Sequence, residues 1–298
     1  MRKEVKEELE VRACWQQIED FFDDPTKKIF CPHLRIGSSQ FLRLISGTLT
    51  PEKVHKRSYY YGARSDGEKF ERIFQMFDTL EDIDNNKYVF VEKNSQPFKI
   101  SNDFPFVCAT PDFRVVLSKN GGENQTYLVE VKHSKQKSTV DKIINGEKND
   151  ESMQLKCALN IFGIEKGLLV CYYDKNTEDQ DDWVAYAKEM TADSLFEEKK
   201  EDILKGYAKY LIKLIREQTQ NDLALTLEDE ILKKIKTRFS TPSQGKMLLE
   251  EGIPRPKAFC PLNLRYLPPG KQKKPKVGRK KKTQQVGETH RCATRKIK

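Results

Sequence analysis

Apolar residues recur along this chain with two periods, and the switches between them mark its elements. Val11, Cys14, Trp15, Ile18 and Phe21-Phe22 form a stripe at helical spacing, so residues 1–24 are predicted helical, with Pro25 ending the run. Phe70, Ile73, Phe74 and Phe77 follow i, i+3, i+4, i+7 spacing and predict an amphipathic helix from Glu68 to Leu80. The period then shortens. Phe113 to Leu117 and Thr126 to Lys132 are rich in β-branched and aromatic residues and read as strands. The turn-forming residues between them centre on Gly121, which predicts a hairpin with Asp112 opposite Glu130. Lys135 to Glu151 is polar and reads as a loop. Helical spacing returns in Leu155, Ala158, Leu159 and Phe162, with Asp150 in position to cap the helix. Gly167 to Tyr173 and Trp183 to Met190 read as strands. Asp193 or Ser194 is placed to cap one long helix with Ile203, Tyr207, Leu211 and Leu214 inward, and Leu225 to Phe239 reads as a last helix. No internal repeat stands out.

Three short stretches on this frame carry chemistry: Gly67-Glu68-Lys69-Phe70-Glu71, Thr110-Pro111-Asp112 and Glu130-Val131-Lys132. Strand alternation puts Glu130 and Lys132 on one face and Tyr127, Val129 and Val131 on the other. A slip of one residue would send Glu130 to the wrong face. Glu71 lies about 100° around its helix from Phe70, on the shoulder of the apolar stripe; Glu68 also borders the stripe, one turn earlier. Each piece alone is ordinary, since Glu-x-Lys on a strand is usually a solvated face and Pro-Asp commonly opens a turn. Their order and spacing supply the parts for metal-assisted phosphodiester hydrolysis. A phosphodiester is anionic, so a divalent cation must neutralise charge and lower the pKa of the attacking water. Magnesium asks only for a few hard oxygen ligands and keeps several waters. A lysine beside them can orient or deprotonate the nucleophile and offset transition-state charge.

With these motifs the chain resembles the PD-(D/E)xK nuclease superfamily, and within it the YqaJ-like, lambda-exonuclease-like branch. Arg35-Ile36-Gly37-Ser38-Ser39 resembles the family's Arg-Ile-Thr-Ala-Ser signature, followed by the expected helix Gln40 to Ile45. Gly67 to Glu71 resembles its Gly-x-x-x-Glu element, and Met153-Gln154-Leu155-Lys156 its Gln-x-Gln element. The resemblance implies a restriction-endonuclease-like α/β core, a mixed sheet flanked by helices. It implies that Asp112, Glu130 and the Val131 carbonyl hold Mg2+ (or Mn2+), and that Glu71 assists them. Lys132 would act on the attacking water, Gln154 would position the site, and Arg35 and Ser39 would contact DNA. Two positions depart from the pattern: Phe113 replaces a glycine after Pro-Asp, and Lys156 stands where a second glutamine is expected. The implied activity is a DNA nuclease, foremost an exonuclease on duplex ends of the viral-recombinase type serving recombination or repair. An endonuclease of the same fold and an inactive DNA-binding protein are the alternatives.

Composition refines this reading. The chain has 298 residues and a net charge of +9. Lys271 to Lys298 holds twelve Lys/Arg against one Glu, a net of +11, so the remainder carries about −2. The basic excess therefore belongs to the tail, where Lys273, Lys274, Arg279 and Lys280 suit DNA phosphates or a nuclear import receptor. The organisation expected is a helical segment at 1–34, a nuclease core at 35–215, a helical extension at 216–266 and a disordered basic tail at 267–298. Seven scattered cysteines without a Cys-x-x-Cys pair suit a reducing compartment, and Cys31 with His33 lacks the partners of a zinc site. No apolar run reaches membrane-spanning length, and Met-Arg-Lys-Glu lacks a secretory pattern. The expectation is a DNA-binding protein with no membrane partner and scope for homo-oligomers. Its expected location is nuclear in a eukaryote, otherwise cytoplasmic, and not secreted.

Overall fold

In the computed structural model the described residues are 3–23, 34–55, 61–95, 97–147, 149–175 and 183–239. The tail residues Lys273, Lys274, Arg279 and Lys280 lie outside them, as do Cys31 and His33. The central element is a mixed sheet of six strands in the order β2-β3-β6-β7-β8-β9: β2 (Thr79–Glu81), β3 (Lys87–Ser95), β6 (Phe113–Lys119), β7 (Asn124–Ser134), β8 (Lys166–Asp174) and β9 (Trp183–Thr191). Among the described strands of this sheet only β7 and β8 run parallel, joined through the helices α5 (Lys137–Asn145) and α6 (Asn149–Phe162). A smaller sheet sets β5 (Val107–Ala109) between β1 (Ile36–Gly37) and β4 (Lys99–Ile100).

The β6–β7 hairpin has the register read from the sequence, with Phe113 opposite Val129, Val115 opposite Tyr127 and Ser118 opposite Asn124. Asn120 and Gly121 supply the left-handed backbone of its turn, at φ +52° and +73°. The two faces of the hairpin contribute to different cores. Phe113, Val115, Leu117, Tyr127, Val129 and Val131 pack with Phe70 and Phe74 of α4 (Tyr61–Met76). Leu128, Leu169 and Cys171 pack on the other side with apolar residues of α5, α6 and α8 (Lys200–Thr219). The sheet curls over the α4 side, where the Ile83 amide donates to the Ala187 carbonyl at 3.0 Å. On that concave face Glu189 accepts from Lys119, Tyr88 and Tyr127 at 2.9, 3.0 and 3.1 Å.

Several elements differ from the sequence expectation. The stretch 135–151 is not a loop but α5 and the start of α6. Val140, Ile143 and Ile144 are buried at helical spacing beneath a polar surface, and Gly146 closes α5 at φ +78°. Asp150 falls inside the first turn of α6 rather than before it. Helix α4 stops at Met76, because the Lys93 ammonium caps its last carbonyls at Phe74 (3.1 Å), Gln75 (3.3 Å) and Phe77, and Leu80 pairs in β2 instead. The long helix after Ser194 breaks at Lys199 into α7 (Leu195–Glu198) and α8. A 3-10 stretch, Asp222–Leu227, precedes α9 (Glu228–Phe239), which docks Ile231 and Ile235 in the core that also holds Val11, Trp15 and Ile18 of α1 (Lys3–Asp23). Among the described residues no helix is long and apolar enough to cross a membrane.

Helix α8 crosses the short helix α2 (Phe41–Ile45) at Gly206. A Cβ built there would stand 1.8 Å from the Leu44 carbonyl oxygen. Since backbone cannot yield as a flexible side chain does, Gly206→Ala is expected to destabilise the fold by about 3 kcal/mol or more. A urea melt measures this; an unchanged midpoint would contradict the close crossing.

Candidate active site

Asp112 lies one residue before β6, and Glu130 and Lys132 lie on β7, beyond the last paired position Phe113–Val129. The hairpin thus splays open where its carboxylates meet. Asp112 Oδ2 accepts a hydrogen bond from the Val131 amide at 2.7 Å, which replaces the missing ladder bond and fixes the carboxylate on the strand edge. Amide and carbonyl of one strand residue leave from the same edge, so the Val131 carbonyl also faces Asp112. Glu130 is 2% exposed. Its Oε1 accepts from Lys132 Nζ at 2.5 Å and from Gln154 Nε2, which reaches down from α6. Its Oε2 is buried with no hydrogen-bond partner. A bare carboxylate oxygen in the interior is costly unless something cationic meets it.

Electrostatics describe the same tension. Burial, then the charge of Glu130, push the Asp112 carboxyl from 3.8 up to about 8; Lys132 and the Val131 amide pull it down, and Glu71 adds a further push. Burial opposes the charge on Lys132, but Glu130 and Asp112 outweigh it and hold the ammonium above its usual pKa. Glu71, half-buried on α4, acts on Asp112 through its charge. Among the described residues no three His, Cys, Asp or Glu side chains already stand gathered around one point. The donors at hand are two carboxylates and a main-chain carbonyl. All are hard oxygens, and they suit an ion that retains several waters.

Arg35 is buried just ahead of β1, whose parallel pairing with β5 (Ile36 to Val107, Gly37 to Cys108) runs beside the strand leading into Thr110-Pro111-Asp112. Ser39 sits in the 3-10 turn Ser38–Gln40, which packs on α6, and its Oγ is buried without a hydrogen bond. The structure therefore brings the 35–39 segment alongside the helix of Gln154 and the strand that leads to Asp112. Lys156 is occupied elsewhere, paired to Asp193 at 2.6 Å. His133 turns to the opposite face and stacks on Phe70 at 5.2 Å. One acidic residue at the site escaped the sequence reading. Glu151, in the first turn of α6, raises the pKa of Lys132 by its charge. Its spacing of three from Gln154 marks a shared helix face, and Asp150 read as the cap already places both residues on that helix.

No protein-family model and no curated protein matches the chain. Among solved structures it is similar to an alkaline exonuclease (LHK-Exo) from Laribacter hongkongensis, at 13% identity and TM-score 0.39, covering 70% of this chain and 95% of that one. The complex of LHK-Exo with dAMP matches at 12% identity and TM-score 0.38, again over 70% and 95%. A phage related exonuclease from Haemophilus somnus 129PT matches at 11% and 0.35, over 62% and 96%. Likeness this distant leaves the chemistry to be read from the side chains themselves.

The crowded carboxylates carry a pH signature. A carboxyl whose folded pKa is raised contributes stability that is full below its unfolded pKa and lost as pH rises through the folded value. For Asp112 that window runs from 3.8 to about 8. In EDTA, Asp112→Asn is expected to raise the melting temperature more at pH 8 than at pH 4, since the amide keeps the Val131 hydrogen bond without the charge. Thermal melts across that range measure it; a pH-independent difference would contradict the crowding.

Proposed function

We propose that this chain is a divalent-metal-dependent deoxyribonuclease, acting as an exonuclease on duplex DNA ends. The observation that carries the reading is the Asp112–Glu130–Lys132 cluster at the open end of the hairpin, with Glu130 Oε2 buried and bare. Asp112, Glu130 and the Val131 carbonyl would hold Mg2+, for which Mn2+ can substitute, with Glu71 acting on its waters. When bound, the ion supplies neutralisation of phosphate charge and a lowered pKa for water.

The chain's own groups would do the rest. Lys132, with a quarter of its side chain exposed, is reachable by substrate. Kept as an ammonium by its anionic neighbours, it would donate to the reacting phosphate and offset charge developing there, rather than remove a proton. Gln154 would fix Glu130 by its Oε1 and so determine which oxygen faces the ion. Arg35 and Ser39 would take a phosphate of the bound strand. Preference for duplex ends rests on the sequence resemblance running from Arg35 to Tyr173. In a nucleated cell the basic tail would add nonspecific phosphate affinity and an import signal.

The test incubates purified protein with end-labelled linear duplex and closed-circular DNA, in Mg2+ or EDTA, beside Asp112→Ala. Magnesium-dependent loss of the linear substrate alone, absent in the variant, is expected. Nicking of the circle would replace exonuclease by endonuclease, and binding without cleavage would overturn the enzymatic reading. Lys132→Ala is expected to lower kcat by roughly 10²-fold or more while leaving the fold and most DNA affinity in place. A wild-type kcat in that variant would remove Lys132 from the chemistry.

A further inference from the structure

Among the described residues Lys132 donates to one acceptor, Glu130 Oε1, which it shares with Gln154. Glu130 is also the carboxylate on which the metal reading depends. A cation there would compete with the ammonium for the same group and repel it. Left to itself, a flexible lysine would swing into solvent, where its rotamer entropy favours it. Helix α6 supplies a second anion at the right place. Glu151 and Gln154 are three residues apart and share a helix face. Gln154 touches Glu130, so that face lies over the end of β7. Glu151 is half-buried, and its Oε2 is shielded from solvent. It lies in the first turn of a fourteen-residue helix.

We infer that Glu151 is a positioning residue for Lys132, the anion that holds the ammonium in the site when Glu130 is engaged by another cation. That Glu151 reaches Lys132 is inferred from the helix face it shares with Gln154; its consequence for cleavage rests on the nuclease reading above. Glu151 is not a metal ligand in this scheme, and it touches no reacting atom. It sets where Lys132 points.

Two experiments separate the contact from its consequence. The first is a double-mutant cycle on the full chain at saturating Mg2+ without DNA, with Glu151→Gln, Lys132→Met and the pair compared by denaturant melts. Non-additive midpoints are expected, and additive ones would overturn the inference whether or not the protein cleaves DNA. The second measures cleavage against Mg2+ and DNA concentration. Glu151→Gln is expected to lower kcat about tenfold with unchanged KM and unchanged half-saturating Mg2+, and Glu151→Asp to recover most of the loss. A wild-type kcat in Glu151→Gln, or a loss accompanied by weakened Mg2+ dependence, would overturn it. If wild-type protein does not cleave at all, the nuclease reading falls, and the cycle alone decides the contact.

Discussion

Asp112 and Glu130 meet because β6 and β7 pair in one register and in no other. Side chains alternate along a strand, so a shift of one residue would turn Glu130 and Lys132 into the core of Phe70 and Phe74 and push Val131 outward. Two features prevent the slip. The Asn120-Gly121 turn fixes the pairing from its closed end. The α4 face of the hairpin is also buried through Tyr127 and Val129, and Leu128 is buried against the helices of the other layer. Burying each such side chain is worth about 1.5–3 kcal/mol, so a register error would forfeit several of these terms together. The site is positioned by its neighbours' hydrophobicity before any of its own polar contacts form.

What the register brings together is electrostatically strained. Asp112 and Glu130 meet beside one lysine, Glu71 acts on Asp112 from α4, and Glu151 acts on Lys132 from α6. A fold selected for stability alone would not gather them, since replacing a buried charge cluster by apolar side chains is often stabilising. The polar cluster on the concave face shows the contrast: Glu189 is met there by Lys119 and two tyrosine hydroxyls. In the candidate site the donors likewise converge on a single oxygen, Glu130 Oε1, but there the other oxygen is buried without a hydrogen-bond partner. That asymmetry is what a cation would relieve.

The hairpin, its register and the helix of Glu71 were legible in the sequence because their apolar periods are unmixed and their turn chemistry is explicit. The segments that were not legible share a cause. In α5 only Val140, Ile143 and Ile144 carry the helical signal, diluted by the charged residues around them. The strands β3 to β5 are short, or edge-like and half polar, so their pattern is set by pairing partners distant in sequence. The break at Lys199 and the stop at Met76 are tertiary effects, the latter imposed by Lys93 from another strand. Glu151 was missed because its helix face gains meaning only once Gln154 is seen to lie over Glu130 at the end of β7. The motif positions were readable one by one, whereas the support beneath them required the fold.

Under the proposed function, the opening between Asp112 and Glu130 would take a hard divalent cation. The most direct measurement is anomalous scattering from crystals of the full chain soaked in Mn2+. The expected result is a strong peak within ligand distance of both carboxylates and of the Val131 carbonyl, with Lys132 no longer on Glu130. Peaks only at other acidic residues, with the Lys132–Glu130 pair intact at saturating Mn2+, would contradict the account.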